Sequence, residues 1–158
     1  MSRTWTFICS VCHKNIDYSI FIPHVFESIF VKVQDNQNKP IIVGVGYRPN
    51  SAPRADVDMF ISKMVEIQDE ISNENDIAYL MGDYNINVLN FVTHQKANDF
   101  VDDVIYQGFI LHITKPTRIT SNSATLTDHL YSNHNHPNYE SEIIITDVAD
   151  HCGIFHII

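Results

Sequence analysis

The sequence predicts an α/β layered domain, and three observations carry that prediction. Apolar residues Val57, Phe60, Ile61, Met64, Ile67 and Ile71 recur at helical spacing, marking an amphipathic helix that ends near Asn73. Residues 77–81 form a short continuous apolar run closed by Gly82, the pattern of a strand buried on both faces that ends in a tight turn. After a second helical stretch the chain turns to β-type segments, so strands first interleave with helices and then follow one another.

The elements follow in order. The first 24 residues, whose apolar stretch runs from Trp5 to Cys9, form a leader with no element assigned, and the domain is placed at residues 25–158. Across 25–33 apolar and polar residues alternate. A β-rich run at 39–46 follows the turn-forming Asp35, Asn36, Gln37 and Asn38, so the two segments read as a hairpin. Tyr47, Arg48 and Pro49 lead through a loop into the first helix, and the strand at 77–81 exits through Gly82-Asp83-Tyr84-Asn85. Ala97, Phe100, Val101, Val104 and Ile105 mark the second helix, and Gly108 stands where a positive φ closes a helix end. A strand at 109–114 follows, then β-type segments at 125–131, 141–146 and 153–158, separated by polar loops.

Composition narrows the function. The 158 residues make one domain of 18.1 kDa and exclude two. With 44% hydrophobic and 18% charged residues a packed core is expected, and disorder, collagen-like repeats and coiled coil are excluded. Asp and Glu number 19 against 10 Lys and Arg, a formal charge of −9. That is the wrong sign for holding nucleic acid by phosphate neutralisation alone, so a phosphate substrate calls for a metal ion as intermediary. No apolar run reaches the roughly 20 residues of a membrane-spanning helix, and no convincing cleavage site marks the start as a secretory signal. Cys9, Cys12 and Cys152 form no paired framework, which suits a reducing compartment. An intracellular protein, nuclear or cytoplasmic and without membrane attachment, is the expectation.

Three polar clusters flank the predicted strands: Gly82-Asp83-Tyr84-Asn85, Thr127-Asp128-His129 and Ala149-Asp150-His151. Strands are rigid and aim the side chains at their ends, so carboxylates from several strand ends can meet at one site. An Asp with an Asn two residues on binds or activates a water while the amide donates to a phosphate oxygen. An Asp beside a His sets a hard oxygen ligand next to an imidazole that moves protons or holds phosphate near neutral pH. The sum is a metal-dependent phosphodiester site, although each cluster alone is more readily a turn or a cap. Other patterns are weaker. Cys9-Ser10-Val11-Cys12-His13 matches the short pattern of haem attachment or half a zinc site, but no second cysteine pair accompanies it. His134 and His136 read as a solvated loop, Cys152 as a small buried residue, and Phe60, Met64 and Phe100 as core.

Tyr47-Arg48-Pro49, Gly82-Asp83-Tyr84-Asn85-Ile86-Asn87, Lys115-Pro116-Thr117-Arg118, Ser123-Ala124-Thr125-Leu126-Thr127-Asp128-His129 and Ala149-Asp150-His151 stand in the order seen in the endonuclease/exonuclease/phosphatase superfamily. Within it the sequence most resembles the endonuclease domain of non-LTR (LINE-type) retrotransposons, from about Val25 onward. The resemblance implies a four-layer α/β/β/α sandwich missing its first strands. It also implies a phosphodiester hydrolase that nicks DNA, with magnesium, or manganese in its place, as cofactor. By resemblance Asp83 orients and deprotonates the attacking water, and Asn85 hydrogen bonds water and scissile phosphate. His151 contacts the phosphate, Asp128 pairs with that imidazole, Asp150 helps hold the metal and Tyr47 supports the phosphate from its side. Arg48, Thr117 and Arg118 fall on the substrate side of the site, Arg48 by motif position alone, with Lys115 adding to a local basic patch.

Two departures stand out. The family begins with a strand carrying a catalytic Asn and then a metal-binding Glu, and neither motif is recognisable here; Asn15 and Glu27 are present, but nothing around them matches. Ala149 stands where the family usually has Ser before Asp-His. The alternatives are therefore a catalytically inactive remnant of such a domain and a phosphatase of the same superfamily.

Overall fold

The computed structural model describes residues 18–34, 39–50, 54–145 and 149–157. Cys9, Cys12, His13 and Asn15 lie outside the described residues. Strands β1 (Tyr18–Ile22), β2 (Phe26–Gln34) and β3 (Pro40–Tyr47) are followed by helix α1 (Arg54–Glu74) and strand β4 (Ile77–Asp83). A single 3-10 turn (Val88–Asn90) leads to helix α2 (Gln95–Tyr106). Six short strands complete the fold: β5 (Ile110–Leu111), β6 (Arg118–Ile119), β7 (Ala124–Thr125), β8 (Asp128–Ser132), β9 (Glu140–Ile144) and β10 (Gly153–Ile157).

The main sheet has the order β1-β2-β3-β4-β8-β5, with β9–β10 and β6–β7 as separate antiparallel pairs. Of its pairings only β3 with β4 is parallel, because the α1 crossover returns the chain in the same direction. Alternation assigns the two faces of the sheet. On one face Phe26, Phe30 and Leu80 meet the helices: Phe60 of α1 lies 5.0 Å from the Phe26 ring and 6.0 Å from Phe100 of α2. Gly44 makes room there, since a Cβ at that position would stand 2.7 Å from both Phe30 and Leu80. Truncating either buried phenylalanine, Phe60 or Phe100, removes on the order of 3 to 5 kcal/mol. On the opposite face the β9–β10 hairpin packs through His156, whose ring is 5.2 Å from Tyr79 and 4.6 Å from His112, with Ile143 and Ile154 against the core. Helices, main sheet and second sheet thus stack in layers, the α/β sandwich expected from the sequence.

The hairpin at 25–46, both helices and the β4 strand stand where periodicity places them. Three differences have local causes. Strand β1 falls inside the stretch read as a leader. It joins β2 through Pro23 and His24, where Val25 N donates to Ile22 O at 2.9 Å and His24 takes a φ of 64°. The segment at 109–114 pairs only over Ile110–Leu111. The segment at 125–131 is broken into β7 and β8, because the Thr117 hydroxyl takes the amides of Thr127 and Asp128. Among the described residues no helix is long and apolar enough to cross a membrane.

Candidate active site

The antiparallel register of β4 against β8 sets Asp83 directly opposite Asp128. Directly opposed residues share a sheet face, and alternation from Tyr79 puts both carboxylates on the side that carries the β9–β10 hairpin. Both are buried, at 0% and 3% exposure. The third member arrives from the lead into β10. His151 Nδ1 donates to Asp128 Oδ2 at 2.9 Å and Oδ1 at 3.1 Å. Asp83, Asp128 and His151 each offer a ligand atom, and these atoms lie within 4.8 Å of one another. Like charges facing each other across a sheet are destabilising, and more so when buried. Such a pair is stable when a cation neutralises it, and two carboxylates are the oxygen donors that hard divalent ions take, with the His151 ring held beside them by its bond to Asp128. The residues present fit a divalent metal.

Backbone bonds hold these three in place. Residues 84–88 are stitched to the segment before β8: Tyr84 N donates to Thr127 O at 2.9 Å, and Val88 N to Leu126 O at 3.2 Å. Asn87 Oδ1 accepts from Leu126 N and, as a cap, from Leu89 N. Asp83 Oδ1 accepts from Asn85 N at 3.2 Å, and Asn85 takes a left-handed φ of 51°, which Asn tolerates better than most residues. Thr117, fully buried, is a junction: its hydroxyl accepts from Thr127 N and Asp128 N, and its carbonyl accepts from Cys152 N. One residue therefore fixes both Asp128 and the approach of His151.

The other expected residues are placed as follows. Tyr47 pairs with Asp83 in the parallel register, on the same face, and is half-buried. Arg118 Nε donates to Asp150 Oδ2 at 2.8 Å, and this bond, the largest influence on it, holds the exposed Asp150 carboxyl below its ordinary pKa. Asp150 is not among the three converging groups. Arg48 is 4% exposed, with its guanidinium on backbone carbonyls; burial pushes its pKa down while Asp83 pulls it back. Glu27 pairs with Tyr47 and is exposed, one strand further from Asp83. His136 packs at a tilt against Tyr139 with ring centroids 5.2 Å apart, and His134 Nδ1 meets the Tyr139 hydroxyl at 3.1 Å.

Two residues that organise the site were quoted in motifs without a role. Asn87 is one, and its signal is an Asn just before a short helical turn. His129 is the other. Strand alternation turns it away from Asp128 toward the helices, where it is fully buried against Phe100 and Tyr84. Its Nε2 donates to Ile86 O at 3.0 Å and Leu126 O at 3.2 Å, and burial pushes its pKa down to about 4.

Neither a protein-family model nor a curated protein sequence matches the chain. Solved structures do. The endonuclease domain of TRAS1, a telomere-specific non-LTR retrotransposon, superposes with a TM-score of 0.63 at 12% identity, over 90% of this chain and 67% of that one. An endonuclease/exonuclease/phosphatase from Beutenbergia cavernae gives 0.60 at 14% identity, over 82% of this chain and 38% of that one. A humanized TDP2 of D. rerio gives 0.58 at 13% identity, over 87% and 63%. The chain has the endonuclease/exonuclease/phosphatase fold. It spans between 38% and 67% of the length of these three structures.

Proposed function

We propose that the chain is a metal-dependent phosphodiester hydrolase domain that nicks DNA, derived from a non-LTR retrotransposon. The observation that carries this is the meeting of Asp83, Asp128 and His151 within 4.8 Å, in a fold shared with a retrotransposon endonuclease domain. In this reading Asp83 accepts a proton from the attacking water, its carboxylate already oriented by Asn85 N. Asn85 contacts water and scissile phosphate. Donation from Nδ1 to Asp128 fixes the His151 ring, and Nε2, enclosed and with no hydrogen-bond partner among the described residues, is the atom that faces a phosphate oxygen in this reading. Asp128 balances the charge on that ring as negative charge grows on the phosphate. A magnesium or manganese ion held by Asp83 and Asp128 would supply charge neutralisation on the phosphate and leaving oxygens. Asp150, assigned to the metal by resemblance, is paired with Arg118 and sets that arginine at the rim of the site, where it meets the DNA backbone alongside Lys115. Tyr47 supports the phosphate from the β3 side.

The test is nicking of supercoiled plasmid with millimolar magnesium. Asp83→Ala and His151→Ala should each lower the rate by on the order of 10²- to 10⁴-fold. Equal activity in all three proteins would overturn the site. Hydrolysis of small phosphoesters with no cutting of DNA would overturn the substrate.

A further inference from the structure

An arginine placed one residue beyond a strand, beside a site built for phosphate, is expected to reach for substrate. Arg48 does not. Its side chain is almost wholly enclosed, and each guanidinium nitrogen donates to a backbone carbonyl: Nε to Tyr84 O at 2.5 Å, Nη2 to Asn85 O at 2.7 Å and Nη1 to Pro49 O at 3.2 Å. The contact is reciprocal. Arg48 N donates to Asp83 O at 3.0 Å, and Asn85 Nδ2 donates to Arg48 O at 2.7 Å. Backbone and side chain of this one residue therefore grip Asp83, Tyr84 and Asn85 in succession.

We propose that Arg48 is a positioning residue that holds the left-handed turn at Asn85 and thereby sets the plane of the Asn85 amide. The turn has a left-handed φ of 51° at Asn85, a conformation that costs less for Asn than for most side chains but still needs surrounding bonds to hold it in one place. The guanidinium supplies those bonds. Its flat fork meets the two successive carbonyls of Tyr84 and Asn85, which a lysine ammonium, a point charge on a flexible stem, does not match. One Nδ2 hydrogen of Asn85 is committed to Arg48 O, so the amide cannot swing. Oδ1 and the second Nδ2 hydrogen are left in a fixed direction for a water and a phosphate oxygen. Arg48 thus serves the substrate through Asn85 and without touching it. The catalytic consequence rests on the hydrolase reading above; the clamp itself does not.

The experiment uses the full chain and the variants Arg48→Lys, Arg48→Gln, Asn85→Ala and the double variant Arg48→Lys/Asn85→Ala. The first readout is the side-chain amide resonance pair of Asn85 in a ¹⁵N–¹H spectrum, assigned by its loss in Asn85→Ala. In the wild type the two hydrogens should be widely split and slow to exchange; in Arg48→Lys and Arg48→Gln they should move toward the values of a solvated amide, with the rest of the spectrum dispersed. The second readout is cleavage of a short DNA duplex with magnesium. Arg48→Lys should lower kcat by on the order of 10- to 100-fold with KM little changed, and the double variant should be no slower than Asn85→Ala alone. An Asn85 amide that does not move in either Arg48 variant, or additive losses in the double variant, overturns the clamp. A wild type that cuts no DNA while the amide moves as expected overturns the hydrolase reading and supports the clamp.

Discussion

His129 makes the fold sensitive to acid by an amount that can be worked out. The ring is fully buried between Tyr84 and Phe100, its Nε2–H is shared by the carbonyls of Ile86 and Leu126, and its Nδ1 has no hydrogen-bond partner among the described residues. A second proton would place an uncompensated charge on Nδ1 inside the core, which is why the pKa falls from 6.5 to about 4. The sign follows from linkage. A group whose folded value is depressed contributes its full stability above the unfolded value and loses it as pH falls toward the folded one. Each pH unit in that window removes about 1.4 kcal/mol. From pH 6.5 to pH 5, before the carboxylates titrate, the loss is about 2 kcal/mol, and by pH 4 it reaches about 3 kcal/mol. The perturbation is His129→Gln, which keeps an amide donor near the Nε2 position and removes the titration. Urea unfolding at pH 7 and pH 5 should show the wild type losing about 2 kcal/mol more than the variant. Parallel losses in the two proteins would refute the argument.

Three further outcomes follow from the packing. Gly82 has a φ of 155°, and a Cβ there would stand 1.9 Å from the Gly46 carbonyl oxygen, so Gly82→Ala must displace backbone between β3 and β4; a loss of about 3 kcal/mol or more is expected in urea unfolding, and a loss below about 1 kcal/mol would show that the strands are not so close. Gln68 is fully buried in α1 with neither amide atom hydrogen bonded among the described residues, so Gln68→Met should stabilise by about 1 to 2 kcal/mol and raise the melting temperature by a few degrees; a lower melting temperature would contradict it. His112 and His156 pack against each other at a tilt and burial lowers both pKa values, further lowered in His156 by His112, so their stabilisation is complete above their ordinary value and is lost as pH falls below it. Amide exchange in β9 and β10 should then accelerate at pH 5.5 relative to β2 and β3, and an unchanged ratio would exclude that coupling.

Much of the fold was legible because it is written in local periodicity. The apolar spacing from Val57 to Ile71 and the run closed by Gly82 depend on neighbours a few residues away, and α1 and β4 stand where those patterns put them. Strand β1 was missed because its hairpin turn, Pro23 and His24, carries none of the Gly-rich chemistry that announces a tight turn. The break between β7 and β8 was invisible because it depends on a hydroxyl ten residues away, that of Thr117. For the site, the residue types in each cluster were legible, and alternation alone separates Asp128 from His129. The opposition of Asp83 to Asp128 was not, since it depends on the register between strands distant in sequence. The burial of Arg48 was equally hidden: an arginine after a strand has the same appearance in sequence whether it faces solvent or caps carbonyls.

The convergence of Asp83, Asp128 and His151 is tested most directly by manganese binding to the full chain, followed by loss of the free-ion electron paramagnetic resonance signal. One ion per chain should bind to the wild type and to Asp102→Asn, an exposed carboxylate on α2, and binding should weaken by at least about tenfold in Asp83→Asn and in Asp128→Asn. Manganese bound with the same affinity and stoichiometry in all four proteins would contradict the account.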